Sequence, residues 1–376
     1  MAPLNEAEME ELVFRILKDL SETPYACSEL MHLTSGTTNF VFRGSLLCPL
    51  SSSARHFPQN FVIVKHSTAF AAVNKDFPLD VTRSQFEETM LHALGHFTSI
   101  ATVQTPRLYL FNRTTNTQVI EYFPGVIELK SLLASSDVSE PTARSIGHDL
   151  GKWLKAFHDW ASAPDQMGLR IEIEKNRIMR HLKYQITYAR FIDVLQKFPE
   201  LIEGHGKALR EIQEMAFKDF KKTPSEDDGD DWGLIHGDFW SANVLLPPSP
   251  RMETKGSTSL LVIDWEYAQY GRREYDIGNM IGDLIERWHF GRLHSFVWAI
   301  QGFVKGYGGI GDEMAFRTAI YAGVHLINWY NRGPSKPNND ETLSALRLGR
   351  DLVVKGWEKD RTWLLSSVLE HLFQTT

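Results

Sequence analysis

Asp238, Asn243 and Asp264 have the side-chain types and the setting that phosphoryl transfer requires. Asp238 and Asn243 lie in a short polar segment between two apolar, strand-like runs, and Asp264 directly follows a third such run, residues 260–263. Phosphoryl transfer needs a carboxylate beside the attacking hydroxyl and hard oxygen ligands for Mg²⁺. Asp238 fits the first task. Asn243 and Asp264 fit the second, because Mg²⁺ keeps several of its waters and needs few ligands from a protein.

The segments nearer the N-terminus predict an antiparallel sheet. Residues 33–46 have the pattern of a hairpin with Gly36 at its tip, where backbone N–H groups could face a phosphate. An ordinary hairpin turn accounts for the same residues. Two further strands, residues 107–111 and 118–123, flank a turn. An amphipathic lead-in helix over residues 5–20 precedes the sheet.

A lysine at the end of a buried-looking strand adds a candidate phosphate-binding group. The apolar run 61–64 ends in Lys65, and residues 83–97 then have helical spacing and carry Glu87 and Glu88. A strand lysine held by a helix glutamate is an arrangement that orients nucleotide phosphates. The order of the residues favours Glu87 as the partner of Lys65 and leaves Glu88 as the alternative.

The rest of the chain has the apolar spacing of helices. Apolar residues recur every three to four positions over long stretches after residue 127. The predicted helices cover residues 141–161, 176–198, 201–220, 275–289, 293–307, 313–330 and 341–373. Aromatic side chains at helical spacing are expected to pack in a core more often than to line a ligand pocket.

The motifs together resemble those of the aminoglycoside phosphotransferase and choline kinase-like family, whose fold is that of protein kinases. The residues that carry the resemblance are His236-Gly237-Asp238, Asn243, Ile263-Asp264-Trp265-Glu266 and, further on, Asp276 in Tyr275-Asp276-Ile277-Gly278. Protein kinases have H-R-D and D-F-G at the first and third of these places. The departures from that pattern favour the small-molecule branch of the fold.

The resemblance implies a set of nucleotide-binding residues. Lys65 would hold the α and β phosphates and would itself be held by Glu87 or, alternatively, by Glu88. The segment 119–125 resembles the hinge between the two lobes of the family. Glu121 and Phe123 would therefore contribute main-chain groups to adenine, although a plain strand end explains the same residues.

The resemblance also assigns roles around the catalytic loop. Asp238 would be the catalytic base, and Asn243 and Asp264 would bind Mg²⁺. His236 would support the loop without acting as the base, and Asp276 would brace the loop from behind. Two roles are possible for Glu266: binding a second Mg²⁺ through water, or shaping the loop.

The fold that follows is of the α+β class: a protein-kinase-like two-lobe fold with a small antiparallel-sheet N-lobe and a large helical C-lobe. Residues 1–29 would form the N-terminal amphipathic helix and lead-in, and residues 30–123 the nucleotide-binding N-lobe. Residues 124–376 would form the helical C-lobe, which carries the catalytic loop and the acceptor site.

Composition excludes several other classes of protein. A hydrophobic content of 43% and a charged content of 23% are those of a globular protein. The net charge of −7 argues against nucleic acid or an anionic membrane as a partner. Two cysteines, Cys27 and Cys48, are too few for a disulfide framework, so a reducing, cytoplasmic setting is expected. The acidic N-terminus predicts no secretory signal, and no run approaches the ~20 apolar residues of a membrane helix.

The function expected from these observations is ATP- and Mg²⁺-dependent transfer of the γ-phosphate to a hydroxyl of a small molecule: an amino alcohol, a sugar or a secondary metabolite. A non-catalytic nucleotide-binding or interaction module is the main alternative. A protein kinase is disfavoured because no A-P-E segment follows Asp264. Transfer of AMP instead of phosphate is the third alternative.

Overall fold

The structure is a computed structural model that describes residues 3–34, 36–50, 59–97, 103–225, 229–247, 260–331 and 339–374. The chain divides into two units. The first unit contains Met1–His96 and Thr105–Pro124, and the second contains Phe97–Gln104 and Gly125–Thr376. Among the described residues, no helix is both long and apolar enough to cross a membrane.

The described residues up to Pro124 form two helices and several strands. In chain order they are α1 (Glu6–Leu20), β1 (Cys27–Leu33), β2 (Phe40–Leu50), β3 (Gln59–His66), β4 (Phe70–Ala71), β5 (Asn74–Pro78), α2 (Arg83–Leu94), β6 (Val103–Gln104), β7 (Leu108–Asn112) and β8 (Thr117–Glu121). All of these except β6 belong to the first unit. Five of the strands form one antiparallel sheet in the order β1-β2-β3-β8-β7.

The core of the first unit lies between α1 and one face of this sheet. Helix α1 begins with a capping box, in which the Asn5 side chain accepts a hydrogen bond from the Glu8 N–H and Glu8 bonds back to the Asn5 N–H. Its apolar stripe is buried in one cluster with Val62 and Val64 of β3. Because side chains alternate across a strand, Lys65 points to the opposite face of β3.

The second unit is mostly helical. After β6 its elements in chain order are β9 (Ile127–Glu128), α3 (Leu129–Leu133), α4 (Glu140–Ser162), α5 (Met167–Glu174), α6 (Arg177–Tyr184), α7 (Phe191–Leu195), α8 (Gly206–Lys221), β10 (Trp232–Ile235), β11 (Val244–Leu246), β12 (Leu260–Val262), β13 (Gln269–Arg272), α9 (Glu274–Gly291), α10 (His294–Tyr307), α11 (Asp312–Trp329), α12 (Asn339–Trp357), α13 (Arg361–Leu365) and α14 (Glu370–Phe373).

Two of the predicted helices are interrupted. The helix expected over residues 176–198 is α6 followed by one π-helical turn, Gln185–Ala189, and then α7. The Thr187 hydroxyl donates to the Lys183 carbonyl inside that turn, at 2.6 Å. The helix expected over residues 341–373 is three helices, α12, α13 and α14, and the backbone turns left-handed at Lys359 (φ 54°) between the first two.

Short paired strands of the second unit hold the ends of two loops, one between β10 and β11 and the other between β12 and β13. Strand β10 pairs with β13 and β11 pairs with β12, both antiparallel, and Val244 lies opposite Val262. Behind these strands lies an aromatic cluster in which Trp153 stacks on Phe157 and on Phe239. The cluster gives the loops between the strands a rigid, fully buried support.

Candidate active site

The segment between β10 and β11 makes a turn that requires glycine at its start. Gly237 has φ of +78°, in the left-handed region. A Cβ atom at this position would lie 2.2 Å from the Tyr267 carbonyl oxygen. The backbone of the loop therefore passes against the segment that follows Asp264, and any side chain at residue 237 would separate the two.

Asp276, near the start of α9, holds the first residues of the loop. Its Oδ2 accepts the His236 N–H at 2.7 Å and its Oδ1 accepts the Gly237 N–H at 2.9 Å, and its side chain is fully buried. His158 Nε2 lies 3.2 Å from the same Oδ2, and His158 Nδ1 lies 2.9 Å from the Tyr307 hydroxyl. Burial lowers the pKa of His158 despite the neighbouring carboxylate, so the neutral ring donates to Asp276 and accepts from Tyr307.

The carboxylate of Asp238 is held by three donors. Lys183 of α6 donates to Oδ1 at 2.8 Å. The Trp240 indole N–H donates to Oδ2 at 3.1 Å, and Asn243 Nδ2 donates to the same atom at 3.2 Å. Charge-assisted bonds of this kind are stronger than neutral ones, so the carboxylate has one fixed orientation.

His236 uses both ring nitrogens to support the loop. Nε2 lies 2.9 Å from the Ile263 carbonyl oxygen, and Nδ1 accepts the Asp238 N–H at 3.2 Å. The ring also packs on Trp265, with 4.4 Å between the ring centroids. His236 therefore ties the loop to the end of β12 and has no ring nitrogen left for proton transfer.

Asn243 and Asp264 lie at neighbouring strand ends. The Asn243 carbonyl accepts the Ile263 N–H at 3.0 Å, which continues the β11–β12 pairing by one residue. Asn243 Nδ2 also donates to the Asp238 backbone carbonyl, at 2.9 Å. This leaves the amide oxygen as the group that Asn243 can offer to a metal ion. Asp264 has φ of 70° and ψ of 61°, a left-handed conformation that aspartate tolerates better than most residues and that is concentrated at functional sites.

In the first unit, Lys65 forms a buried ion pair with Glu87 of α2. Lys65 Nζ lies 2.9 Å from Glu87 Oε1 and 2.8 Å from Oε2, and the two side chains are 7% and 3% exposed. Glu88 instead pairs with Arg113 at 2.7 Å. The structure thus brings Lys65 to Glu87, and the alternative glutamate is engaged elsewhere.

The connection between β1 and β2 contains Gly36, whereas the preceding Ser35 lies outside the described residues. A Cβ atom on Gly36 would lie 2.8 Å from the Asn39 carbonyl oxygen, so the turn is too close for a larger residue. The buried Asn39 side chain accepts hydrogen bonds from Ser67 and from Arg83 NH2, both at 2.8 Å. These bonds anchor the C-terminal end of the turn to the sheet.

Glu121 and Phe123 lie at and just beyond the end of β8. The Glu121 N–H donates to the Arg107 carbonyl at 2.8 Å, and the Glu121 side chain accepts the Arg107 N–H at 3.2 Å. Any contact of the Glu121 backbone with a nucleobase would therefore come from the Glu121 carbonyl oxygen. Phe123 follows two residues later and is half-buried.

Asp283 supports the far end of the loop that contains Asp238. Its Oδ2 accepts both the N–H of Ser241, at 3.3 Å, and the Ser241 hydroxyl, and Arg287 donates to both carboxylate oxygens. Burial acts to raise the pKa of Asp283, but the charge and hydrogen bonds of Arg287, together with His325 and the Ser241 hydroxyl, lower it overall. Glu286 and His325, which lie close to Asp283, bond to each other at 3.2 Å. The network is buried.

Sequence reasoning missed Lys183 and the bond from Trp240. Lys183 lies on a helix far before the loop in the chain, and no motif marks it. Trp240 lies two residues after Asp238, and its ring N–H holds the carboxylate of that residue. Glu266 is fully buried, and its backbone carbonyl accepts a hydrogen bond from Asn176 at 2.9 Å.

The chain is similar to known phosphotransferases. The model of the phosphotransferase enzyme family matches residues 57–313. The chain is 29% identical over 386 residues to phosphotransferase FrzJ of Cladobotryum sp, with 98% of each chain covered. It is 22% identical over 373 residues to a 4-hydroxytryptamine kinase of Psilocybe cyanescens, with 96% of each covered.

Solved structures of other proteins share the fold. The ADP-bound aminoglycoside phosphotransferase APH(2'')-Ib aligns with a TM-score of 0.50 at 14% identity, over 93% of this chain and 100% of that one. The expected kinase-like α+β fold, with an N-terminal antiparallel sheet and a largely helical C-terminal part, is confirmed. The chain therefore belongs to the phosphotransferase enzyme family and is a small-molecule kinase.

Proposed function

We propose that the protein transfers the γ-phosphate of ATP, in the presence of Mg²⁺, to a hydroxyl group of a small molecule. The observation that carries this proposal is the setting of Asp238. A carboxylate fixed by three donors, in a loop braced at both ends by buried aspartates, is suited to orienting a hydroxyl group. We assign the nucleotide to residues 30–123 and the acceptor site to the helical part, residues 124–376.

Asp238 would be the catalytic base. The acceptor hydroxyl would donate its hydrogen bond to this carboxylate, and its oxygen would attack the γ-phosphorus. As the new P–O bond forms, the proton passes to Asp238, and the bond between the γ-phosphorus and the bridging oxygen breaks with its electron pair leaving on ADP. His236 cannot replace Asp238 in this step because both of its ring nitrogens are bonded.

Asn243 and Asp264 fit a magnesium site. The Asn243 nitrogen is bonded to Asp238, so its hard amide oxygen is the atom available for coordination, and Asp264 adds a carboxylate at the neighbouring strand end. When bound, Mg²⁺ supplies positive charge that offsets the charge of the phosphate oxygens. The left-handed backbone of Asp264 sets the direction in which its carboxylate leaves β12.

Lys65 would bind the nucleotide phosphates. The ion pair with Glu87 fixes the ammonium group and reduces the cost of burying it. Gly36 would let the β1–β2 turn approach the phosphates closely, and the backbone groups of Glu121 and Phe123 would contact adenine. Two free thiols, Cys27 and Cys48, suit the reducing cytoplasm, where ATP is abundant.

We infer that the acceptor is an amino alcohol, a sugar or a hydroxylated secondary metabolite. The names of the relatives support this range, since two of them are 4-hydroxytryptamine kinases, which are named for a hydroxylated amine. The first panel of acceptors should therefore contain 4-hydroxytryptamine, choline, ethanolamine, simple sugars and aminoglycosides.

The test is ADP release by the purified protein with Mg-ATP and each acceptor, with Asp238→Asn and Asp264→Asn as matched variants. We expect acceptor-dependent release that falls by about 10³-fold or more in either variant, since the base and a metal ligand are removed. The product should gain the mass of one phosphate group. A gain of AMP mass would refute phosphate transfer. Unchanged release in both variants would refute the assigned roles.

The alternative is a module that binds nucleotide without turnover. It predicts tight Mg-ATP binding and no acceptor-dependent ADP release with any member of the panel. Acceptor-dependent ADP release by wild type separates the two cases, and calorimetric titration of Mg-ATP into wild type and into Asp238→Asn tests whether the base takes part in nucleotide binding. If the proposal is right, the variant still binds Mg-ATP, because the base contacts the acceptor and not the nucleotide.

A further inference from the structure

Lys183 is a buried cation beside the proposed base. Its side chain is 9% exposed, and its ammonium group donates to Asp238 Oδ1 at 2.8 Å and lies 5.9 Å from the centre of the Tyr267 ring. An ammonium group has three N–H donors. In the described part of the chain one of them is bonded to Asp238 and the other two have no acceptor. A lysine is rarely buried unless it is paired, and Asp238 is the charged partner of Lys183.

The bonds to Asp238 determine where an acceptor hydroxyl can bind. Each carboxylate oxygen offers about two lone-pair positions. Oδ2 accepts two bonds, from Trp240 and Asn243, so its positions are occupied. Oδ1 accepts the single bond from Lys183. Among the described residues this leaves one open position on the carboxylate, and it lies on the oxygen that Lys183 holds.

The helix that carries Lys183 is anchored, so the ammonium group is presented from a fixed place. Arg180, one turn earlier on α6, donates to the backbone carbonyls of Asp219 and Lys222, both at 2.9 Å. The Lys183 carbonyl accepts the Thr187 hydroxyl in the π-helical turn. Single π-helical turns occur frequently at functional sites, where they alter the direction of neighbouring side chains.

Charge gives Lys183 a second effect. A bare carboxylate next to the attacking hydroxyl would repel the anionic phosphate group that must approach the same hydroxyl. Lys183 neutralises Asp238 from the side, with low exposure to solvent and therefore with little screening by salt. The carboxylate stays oriented while its repulsion of the phosphate is reduced.

We propose that Lys183 is a positioning residue for phosphoryl transfer: it turns Asp238 Oδ1 toward the acceptor hydroxyl and balances the charge of that carboxylate. The inference rests on the proposed function, in which the hydroxyl proton passes to Asp238. Lys183 itself gains and loses no proton in the step. After the proton has passed to Asp238, the Lys183 ammonium group donates its hydrogen bond to a neutral carboxylic acid instead of a carboxylate.

The first test compares Lys183→Met and Lys183→Arg with wild type in the ADP-release assay. We expect kcat of Lys183→Met to fall about 10- to 100-fold, the range for a misplaced catalytic group, while KM for ATP changes less than about threefold. Lys183→Arg should keep more activity because it retains the charge. Lys175→Met, at an exposed lysine that pairs with Glu172, is the matched control and should match wild type.

The second test separates charge from packing in one folded protein. Lys183→Cys is alkylated either with 2-bromoethylamine, which rebuilds an ammonium group at nearly the length of lysine, or with iodoacetamide, which adds a neutral amide. Mass spectrometry verifies complete reaction. We expect bromoethylamine to restore kcat at least about tenfold and iodoacetamide to restore none of it. Wild type treated in parallel controls for alkylation of Cys27 and Cys48.

The outcomes distinguish this inference from the proposed function. If wild type transfers phosphate and Lys183→Met has the same kcat, the inference is wrong and the proposed function stands. Equal restoration by the neutral and the charged reagent also contradicts it, since packing alone would then explain the loss. If wild type transfers no phosphate to any acceptor while Asp238→Asn binds Mg-ATP equally well, the proposed function fails and the inference fails with it.

Discussion

Replacing Asp276 by asparagine should distort the catalytic loop without unfolding the chain. In wild type, the two carboxylate oxygens accept the N–H groups of His236 and Gly237, and the side chain is fully buried. Asparagine has the same shape but one acceptor oxygen, so its NH₂ group would face one of the two N–H donors. One charge-assisted bond is lost, the other becomes a neutral bond, and a buried donor stays unpaired. We expect a loss of about 3–5 kcal/mol in the free energy of unfolding.

Urea denaturation of Asp276→Asn measures that loss, and ADP release measures its effect on the loop. A chain of this kind is stable by roughly 5–15 kcal/mol, so the variant should fold, with a lower midpoint and an unchanged slope. Turnover should fall about 100-fold because Asp238 is displaced. Asp165→Asn makes the same chemical change at an exposed position and serves as control. A variant within about 0.5 kcal/mol of wild type, with normal turnover, would refute the bracing role.

Two further predictions concern the first unit. Burial, together with Arg15 and Arg83, lowers the pKa of His66 to about 4. Between pH 6.5 and pH 4 the unfolded chain therefore binds a proton at His66 that the folded chain does not bind. Stability should fall by up to about 3 kcal/mol as the pH drops through that window, and His66→Gln should remove this part of the slope in urea titrations at several pH values. Glu87→Gln should lower kcat/KM for ATP by roughly 10- to 100-fold, because Lys65 loses its counter-ion, whereas Glu88→Gln should stay within about twofold of wild type. Equal losses in both glutamate variants would contradict the assignment of the ion pair.

Local pattern was enough to predict the residues that lie on consecutive elements. The first unit is built from neighbouring strands, so the strand that ends in Lys65 and the following helix with Glu87 could be identified in order. Asp238, Asn243 and Asp264 could be chosen as candidates for the same reason, since each lies next to a short apolar strand. Strand ends that pair in a sheet bring their polar residues together.

Contacts between distant segments could not be predicted in this way. Strand β13 has few β-branched residues, and its pairing with β10 depends on the fold of the residues between them. Lys183 bonds to Asp238 across 55 positions in the chain, and nothing in the composition of α6 distinguishes it from an ordinary surface lysine. Its role follows from the position of α6, which is set by tertiary packing.

Helix α9 explains why the two ends of the catalytic loop keep a constant separation. Asp276 bonds to the first residues of the loop and Asp283 bonds to Ser241 near its end. The two aspartates are separated by two turns of one helix and therefore point to the same side of it. A rigid helix thus holds both ends of the loop, and Asp238 lies between the two points of attachment. The spacing of the two aspartates was visible in the sequence. This spacing alone does not predict that the aspartates hold the loop, because the same spacing on an exposed helix would place two side chains in solvent. The prediction requires the position of α9 against the loop.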